Sequence, residues 1–192
     1  MSLTESRRKK DEGLMERRKL LNENGISKAL RSITVEILKH QPAPEELVLI
    51  GIRTGGVYLA KRLRDLIKEQ LKREVLCGTM DITLYRDDVF AGLPRPEVGP
   101  TELPCALEGK VVILVDDVLF TGRTIRAALE ELMEFSRPKR VELAVLVDRG
   151  HRELPIQPDY VGLKTETARD ETVRVMLREL GESDRVVVCE NG

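Results

Sequence analysis

The sequence is poor in cysteine, has no long apolar run and carries no excess of either charge. Its three cysteines, Cys77, Cys105 and Cys189, are widely separated. An odd number without metal-ligand spacing predicts neither a disulfide framework nor a zinc site. We therefore expect free thiols in a reducing compartment.

The missing apolar runs and the balanced charge exclude further classes of protein. No stretch approaches the roughly 20 apolar residues that a membrane-spanning helix needs, and the basic residues near the start are not followed by the apolar region of a secretory signal. Charged residues make up 34% of the chain, yet the net charge is only −1, so composition does not indicate nucleic-acid binding. We expect a cytoplasmic protein that does not contact a membrane.

The length and the order of the apolar patterns predict one α/β domain. Strands are predicted at residues 47–50, 77–85, 111–115, 141–147 and 185–189, and helices at 26–37, 57–72 and 125–135, an alternation that favours a parallel sheet. Residues 86–107 contain several prolines and glycines without periodicity, which is typical of a lid or a disordered loop. Residues 1–20 are highly charged without a sustained apolar stripe. They are predicted to be a frayed helix or disordered extension that precedes the domain at residues 21–192.

The most informative segment is the buried strand at 111–115, which is followed by Asp116 and Asp117. A turn from Thr121 to Thr124 then leads into a helix. In an open α/β sheet, ligands bind where strands end and helices begin, and the N–H groups of a helix N-terminus suit a phosphate. Paired carboxylates can accept hydrogen bonds from a diol. The segment favours a ribose 5-phosphate ligand over the alternative, an ordinary strand and turn whose acids serve solubility.

This segment resembles the binding motif for 5-phosphoribosyl 1-pyrophosphate (PRPP) in type I phosphoribosyltransferases. The resemblance implies their fold, a mostly parallel twisted sheet flanked by helices, with a flexible loop and a small hood. It also implies that the acids hold the ribose hydroxyls and that the threonine-rich turn holds the 5-phosphate. Mg²⁺ is expected to bind mainly through PRPP rather than in a cage of protein ligands. The residues implied to bind PRPP are Val115, Asp116, Asp117, Val118, Leu119, Phe120, Thr121, Gly122, Arg123 and Thr124.

Segments on both sides of the motif narrow the resemblance to one group within this family. The chain is similar to proteins that combine uracil phosphoribosyltransferase activity with regulation of pyrimidine operons. The similar segments are residues 51–54, 58–63, 81–88 and 145–155, and the resemblance extends over about residues 21–191. The resemblance implies uracil and PRPP as substrates, UMP and pyrophosphate as products, and a homodimer or homotetramer. Two alternatives stay open: a nucleotide-sensing, RNA-binding regulator with weak or no catalysis, and a transferase for another base.

The same resemblance implies roles for residues around the base. Asp116, Asp117 and Arg86 are expected to be catalytic, and Arg86 and Arg149 are expected to complement the charge of the substrate. The residues expected to bind uracil are Phe120, Val147, Asp148 and Arg149. Purine-using relatives carry an acid at the position of Phe120. Because phenylalanine cannot act as a general acid or base, this residue favours a pyrimidine substrate.

A second turn, at residues 51–56, is predicted to bind the pyrophosphate through Thr54 and Gly55, since it also precedes a helix. Alone, such a turn often only connects a strand to a helix. The resembling family typically has Thr-Arg at this turn. Gly55 removes the guanidinium and its bidentate phosphate contact, which would weaken PRPP binding.

RNA binding has less support in the sequence. The resemblance implies RNA contacts by His151 and Arg152, which are present. Other polar or basic positions that it implies are replaced here. Because phosphate contacts dominate affinity for RNA, we expect at most weak, nonspecific RNA binding. The replacing residues are Arg31, Ser32 and Val35 on the first helix, and Gln157 and Leu163 farther along.

Overall fold

The computed structural model describes residues 14–40, 44–82 and 101–191, which form two sheets and three α-helices. The helices are α1 (Glu23–His40), α2 (Gly55–Leu71) and α3 (Arg123–Phe135). None of these three combines the length and the apolar character that crossing a membrane requires. The strands are β1 (Leu14–Asn22), β2 (Leu47–Ile52), β3 (Leu76–Met80), β4 (Val111–Leu119), β5 (Arg140–Asp148), β6 (Tyr160–Lys164), β7 (Thr172–Met176) and β8 (Arg185–Asn191).

Five strands form a parallel sheet in the order β3-β2-β4-β5-β6, which confirms the predicted sheet type. All six residues of β2 and the first six of β4 are buried, because helices cover both faces of the sheet. One face packs against α1 and α2, and the other packs against α3. The predicted apolar face of α1 is confirmed, since its buried residues include Ile26, Ala29, Leu30, Ile33 and Ile37.

The other three strands form an antiparallel sheet in the order β1-β8-β7, built from both ends of the chain. It packs on the α1 and α2 side through Val173, Val175, Val186 and Val188. The last predicted strand is therefore present as β8, but it does not extend the parallel sheet. Between β7 and β8 the chain has only a single 3-10 turn at Arg178–Leu180, which is too short for a parallel crossover. This sheet corresponds to the small hood that the family resemblance implied.

Residues 14–20 lie in β1, so the prediction of a frayed helix or disordered chain is wrong for them. The strand pairs with β8 along its length, with two register shifts. Backbone hydrogen bonds to β8 define this edge strand, so its charged residues Arg17, Arg18 and Lys19 need no apolar stripe. Residues 1–13 are outside the described residues, and the division of the chain at residue 20 stays a prediction.

The predicted loop at residues 86–107 lies mostly outside the described residues, and so does Arg86. Residues 101–107 are described and packed, which corrects the end of the predicted loop. Glu102 and Thr79 exchange two backbone hydrogen bonds, of 2.8 and 3.0 Å, and Leu107 is fully buried on the α3 side. Gly78 permits this packing, because a Cβ there would lie 2.6 Å from the Glu102 carbonyl oxygen.

The strand order brings two strand–helix junctions together at one edge of the parallel sheet. Strands β2 and β4 are hydrogen-bonded neighbours, with Gly51 opposite Val115. Strand β2 leads into α2 on one face, and β4 leads into α3 on the other. The N-termini of both helices therefore lie at the carboxyl edge of the sheet, where ligands bind in open α/β folds.

Candidate active site

Asp116 and Asp117 lie at this carboxyl edge, within β4 rather than after it. The strand continues to Leu119, which corrects the predicted end of the strand. The Asp117 N–H donates a hydrogen bond of 2.9 Å to Oδ1 of Asp116, which is only 5% exposed. Consecutive strand residues point to opposite faces. The two carboxylates therefore reach the edge from different sides, with Asp117 on the side of α2.

Glycines bring the first turn of α2 into direct contact with β4. A Cβ on Gly55 would overlap the Asp117 carboxylate and would lie 2.7 Å from its Cγ. A Cβ on Gly56 would overlap the Val115 carbonyl oxygen, and a Cβ on Gly51 would lie 2.6 Å from the Gly56 carbonyl oxygen. Side chains at Gly55 and Gly56 would force the turn away from β4, and one at Gly51 would force it away from β2, so the close contact depends on glycine.

The turn before α2 presents backbone N–H groups beside Asp117. The structure places Thr54 at the N-cap of α2, without a hydrogen bond from its side chain to the helix, and the Arg53–Thr54 peptide bond is cis. The first N–H groups of an α-helix have no partner within the helix. They can bind an anion, which fits the pyrophosphate role predicted for Thr54 and Gly55.

The start of α3 provides a second place for an anion. Gly122 is the N-cap, with a φ of +93° that favours glycine, and no side chain caps the helix. The Thr121 carbonyl accepts hydrogen bonds from the N–H groups of Glu153 and Leu154, at 2.9 and 3.2 Å. These bonds fix the turn. The Arg123 N–H also donates a long hydrogen bond of 3.4 Å to the Thr121 hydroxyl, and the N–H groups of the first turn of a helix can bind a phosphate.

The side chain of Arg123 is bound to another part of the protein. Its Nε donates a hydrogen bond of 3.0 Å to Glu153, and Arg169 also binds Glu153. Hydrogen bonds from Arg123 and Arg169 lower the pKa of the Glu153 carboxyl. Any phosphate contact made by the Arg123 side chain therefore competes with Glu153, whereas the backbone of the turn is under no such constraint.

Phe120, Arg149 and His151 form a stacked cluster at the predicted base site. The Arg149 guanidinium lies 4.1 Å from the centre of the Phe120 ring, and the His151 ring meets Phe120 edge-on at 5.7 Å. Arg149 donates hydrogen bonds to the Thr167 hydroxyl (2.9 Å) and the Ala168 carbonyl (2.7 Å), and burial lowers its pKa. Arg149 thus fixes the 167–168 segment above Phe120, a connection that the sequence did not indicate.

The side chains of the other predicted uracil residues, Val147 and Asp148, are held within the protein. The Val147 side chain is fully buried in the core, and the Asp148 carboxylate accepts bonds from the Gly150 N–H (3.0 Å) and from Arg152 (2.7 Å). The Asp148 carbonyl accepts from the Thr165 N–H. Neither side chain is therefore free to contact a base, and a role of Val147 and Asp148 in uracil binding stays a prediction.

His151 and Arg152, the predicted RNA-contacting pair, both have partners within the protein. A ring nitrogen of His151 lies 2.7 Å from the Thr167 carbonyl oxygen. Arg152 donates to the carbonyl oxygens of Phe120, Gly150 and Ile156 at 2.9 to 3.1 Å. Through these contacts, His151 and Arg152 stabilise the loop after β5.

Two further groups, Arg53 and Asp81, lie at this edge, and the sequence had assigned neither a role in the site. Arg53 Nε lies 3.8 Å from Oδ2 of the buried Asp81. On the α3 side, the Thr101 hydroxyl accepts from the Asp81 N–H at 3.1 Å and donates to Glu131. Arg53 and Asp81 directly follow β2 and β3, so their positions at two strand ends are the signal that could have found them. Among the described residues, no group of three or more His, Cys, Asp or Glu side chains could hold a metal ion.

Comparisons with known proteins agree with this geometry. A family model described as a phosphoribosyl transferase domain matches residues 17–179. A Bifunctional protein PyrR from Pelotomaculum thermopropionicum is 49% identical over 175 residues, covering 91% of this chain and 97% of the relative. The protein of the same name from Geobacter sp. strain M21 is 53% identical over 156 residues, covering 81% and 88%.

Solved structures give the same fold. A hypoxanthine phosphoribosyltransferase from Staphylococcus aureus has a TM-score of 0.65 at 25% identity, covering 90% of this chain and 92% of that chain. A hypoxanthine phosphoribosyl transferase from Trypanosoma cruzi has a TM-score of 0.70 at 20% identity, covering 90% and 91%, and this likeness concerns the fold alone.

Proposed function

The chain belongs to the phosphoribosyl transferase family and, within it, to the bifunctional PyrR group, and we propose that it converts uracil and PRPP to UMP and pyrophosphate. One observation carries the proposal. The acidic pair of β4 lies between the N-termini of α2 and α3, neither of which has a side-chain cap. PRPP has the same order of groups: a 5-phosphate, a ribose diol and a pyrophosphate.

Each part of PRPP has a matching part of the site in this proposal. The N–H groups at the start of α3 bind the 5-phosphate, together with the hydroxyls of Thr121 and Thr124. Asp116 and Asp117 accept hydrogen bonds from the two ribose hydroxyls. The turn with Thr54 and Gly55 binds the pyrophosphate at the start of α2.

The reaction breaks the bond between C1 of the ribose and the pyrophosphate oxygen and forms a bond from C1 to N1 of uracil, which loses its proton. Positive charge builds on the ribose in the transition state, and the two carboxylates stabilise it electrostatically. Carboxylate oxygens also fit Mg²⁺, which would bind here mainly through PRPP and would neutralise charge on the pyrophosphate. Arg86 is proposed to act beside the acidic pair on sequence grounds alone.

The Phe120 ring supports uracil as the base. The residue lies directly after β4 and offers a ring face to Arg149 and a ring edge to His151, with no group that can exchange a proton. A purine would gain no acid or base from this position. The stacked cluster and the backbone of residues 147–149 are proposed to form the pocket for the smaller pyrimidine ring.

A uracil-dependent assay of pyrophosphate release tests the proposed reaction directly. With Mg²⁺ and PRPP, we expect release with uracil and little with hypoxanthine, guanine or adenine. If pyrophosphate release is highest with a purine base, that purine and not uracil is the substrate. The absence of release with every base would reject a transferase and would favour the nucleotide-sensing alternative.

Regulation of pyrimidine genes through RNA is a second candidate function, favoured by the name Bifunctional protein PyrR of the similar proteins. Arg31, Ser32 and Val35 are exposed on α1, so this face is open to a partner. His151 and Arg152, in contrast, are bound within the protein.

A gel-shift titration of a pyrimidine-operon leader against a scrambled RNA distinguishes specific from nonspecific RNA binding. We expect equal, salt-sensitive binding of both, and tight binding of the leader alone, enhanced by UMP, would establish the regulatory role.

The family resemblance also supports a cytoplasmic homodimer or homotetramer. Light scattering coupled to size-exclusion chromatography measures the mass directly, and a monomer at all concentrations would contradict this proposal.

A further inference from the structure

We propose that Arg53 provides the cation that binds the pyrophosphate of PRPP, an inference that rests on the proposed function. A side chain at residue 55 cannot provide it, because the residue is glycine and the Asp117 carboxylate fills the space that a Cβ would need. Arg53 is the one basic residue among the six residues of the turn, 51–56. The turn therefore has one source of positive charge for a strongly anionic ligand.

The backbone places Arg53 at the carboxyl edge of the sheet. Its N–H donates a hydrogen bond of 2.9 Å to the Met80 carbonyl, which continues the pairing of β2 with β3 beyond Ile52. Arg53 directly follows Ile52, the last residue of β2. Two residues later, Gly55 meets the Asp117 carboxylate, so Arg53 belongs to the same turn as this contact.

The Nε atom of Arg53 lies beside a carboxylate without a hydrogen bond to it. It lies 3.8 Å from Asp81 Oδ2, which is beyond hydrogen-bond distance, and this buried nitrogen has no hydrogen-bond partner in the described residues. A buried donor without a partner is unfavourable. The Arg53 side chain is still 28% exposed, and arginine has five N–H donors, so its other N–H groups can bind a phosphate oxygen at the turn while Nε faces Asp81.

The proposal is tested by comparing ligands that do and do not carry the pyrophosphate. Inorganic pyrophosphate with Mg²⁺ and PRPP with Mg²⁺ occupy the turn, whereas UMP occupies only the 5-phosphate and base sites. Affinities are measured by calorimetry for the wild type, Arg53→Gln and Arg53→Lys. We expect Arg53→Gln to weaken pyrophosphate and PRPP about tenfold or more, the loss expected for one charge-assisted hydrogen bond. UMP binding should stay within about twofold, and Arg53→Lys should restore part of the loss.

Arg64→Gln is the matched control, because it makes the same charge change on a partly exposed arginine that pairs with Asp65 on α2. It should leave all affinities unchanged. If Arg53 only neutralises Asp81, Arg53→Gln lowers the melting temperature but weakens no ligand selectively, and the proposal is overturned. Equal losses for UMP and pyrophosphate overturn it as well. A wild-type protein that binds neither UMP nor PRPP rejects the proposed function itself, and this inference with it.

Discussion

Asp116 and Asp117 differ in their surroundings although they are neighbours in β4. Asp116 is buried and accepts a hydrogen bond from the Asp117 backbone, whereas the Asp117 carboxylate packs against Gly55. Their roles in the proposed reaction are electrostatic, so they depend on charge more than on shape. Substitution by asparagine separates these two properties.

We expect Asp116→Asn and Asp117→Asn each to reduce turnover by about 10²–10³-fold, the typical cost of removing one electrostatic stabiliser. Asparagine keeps the size of the side chain, so the melting temperature should change little. Steady-state kinetics with uracil and PRPP measure the effect, and thermal unfolding serves as the control. Near-wild-type turnover in both variants would show that the acidic pair does not act on the ribose.

Gly55→Ala tests the contact between the turn and the acidic pair. The new methyl group would overlap the Asp117 carboxylate, which must rotate away, so we expect a lower turnover with a modest loss of stability. Gly56→Ala is the comparison, because its methyl group would overlap the Val115 carbonyl oxygen, which belongs to the central strand and cannot rotate. Gly56→Ala should therefore lower the melting temperature more than Gly55→Ala. The reverse order would contradict this account of the turn.

At the scale of elements, one buried carboxyl connects α3 to the chain that precedes β4. Glu131 on α3 is 4% exposed and accepts a hydrogen bond from the Thr101 hydroxyl, which in turn accepts from the Asp81 N–H after β3. Its second oxygen, Oε2, is buried without a partner in the described residues. Burial raises the pKa of Glu131, and the nearby Asp81 and Glu134 add to this effect.

This raised pKa predicts a specific pH dependence of stability. The neutral form of Glu131 is favoured in the folded protein, so its contribution is present below the unfolded pKa and is lost as the pH rises through the folded pKa. Compared with the wild type, Glu131→Gln should therefore gain in relative stability between about pH 4.5 and neutral pH. Melting temperatures across this range measure it. For Glu69→Gln, at an exposed position, the curve of melting temperature against pH should run parallel to that of the wild type. A curve for Glu131→Gln that also runs parallel to the wild type would refute the prediction.

At the scale of the whole molecule, Arg62 joins the antiparallel sheet to α2. Its guanidinium binds both oxygens of Asp184, at 2.5 and 2.9 Å, and both oxygens of Glu179, at 2.8 and 2.5 Å. Burial alone would raise the pKa of both acids, but the bonds from Arg62 lower them. Their contribution to stability is present above the unfolded pKa values and is lost as the pH falls through the folded ones.

We expect Arg62→Met to cost about 2–4 kcal/mol, because it leaves two partly buried carboxylates without their partner. Arg64→Met lies two residues away in an exposed pair with Asp65 and should cost less than about 1 kcal/mol. Urea unfolding at neutral pH measures both. The difference should shrink in acid, where both carboxyls are protonated. Equal costs for the two variants would show that Arg62 does not attach the antiparallel sheet.

The parallel sheet and the PRPP motif were predictable because their signals are local. The run of β-branched residues in β4 and the 3.6-residue period of α1 indicate burial, whichever elements pack against them. The structure contains both elements. Strands β1, β6 and β7 were not predicted. They are the edge strands of their sheets. Strands β1 and β7 depend on pairing with β8, and β6 depends on pairing with β5, so their formation is not visible in their own residues.

The sequence by itself determined the fold class, the family and the acidic pair followed by a turn into a helix, since each depends on residues that are close in the chain. Only the tertiary structure decided which groups surround that motif. It packed Gly55 against Asp117, bound Arg149 to the 167–168 segment and placed Arg53 beside Asp81. These contacts join residues 18 to 62 positions apart. Such contacts depend on strand order and register, which no local pattern encodes.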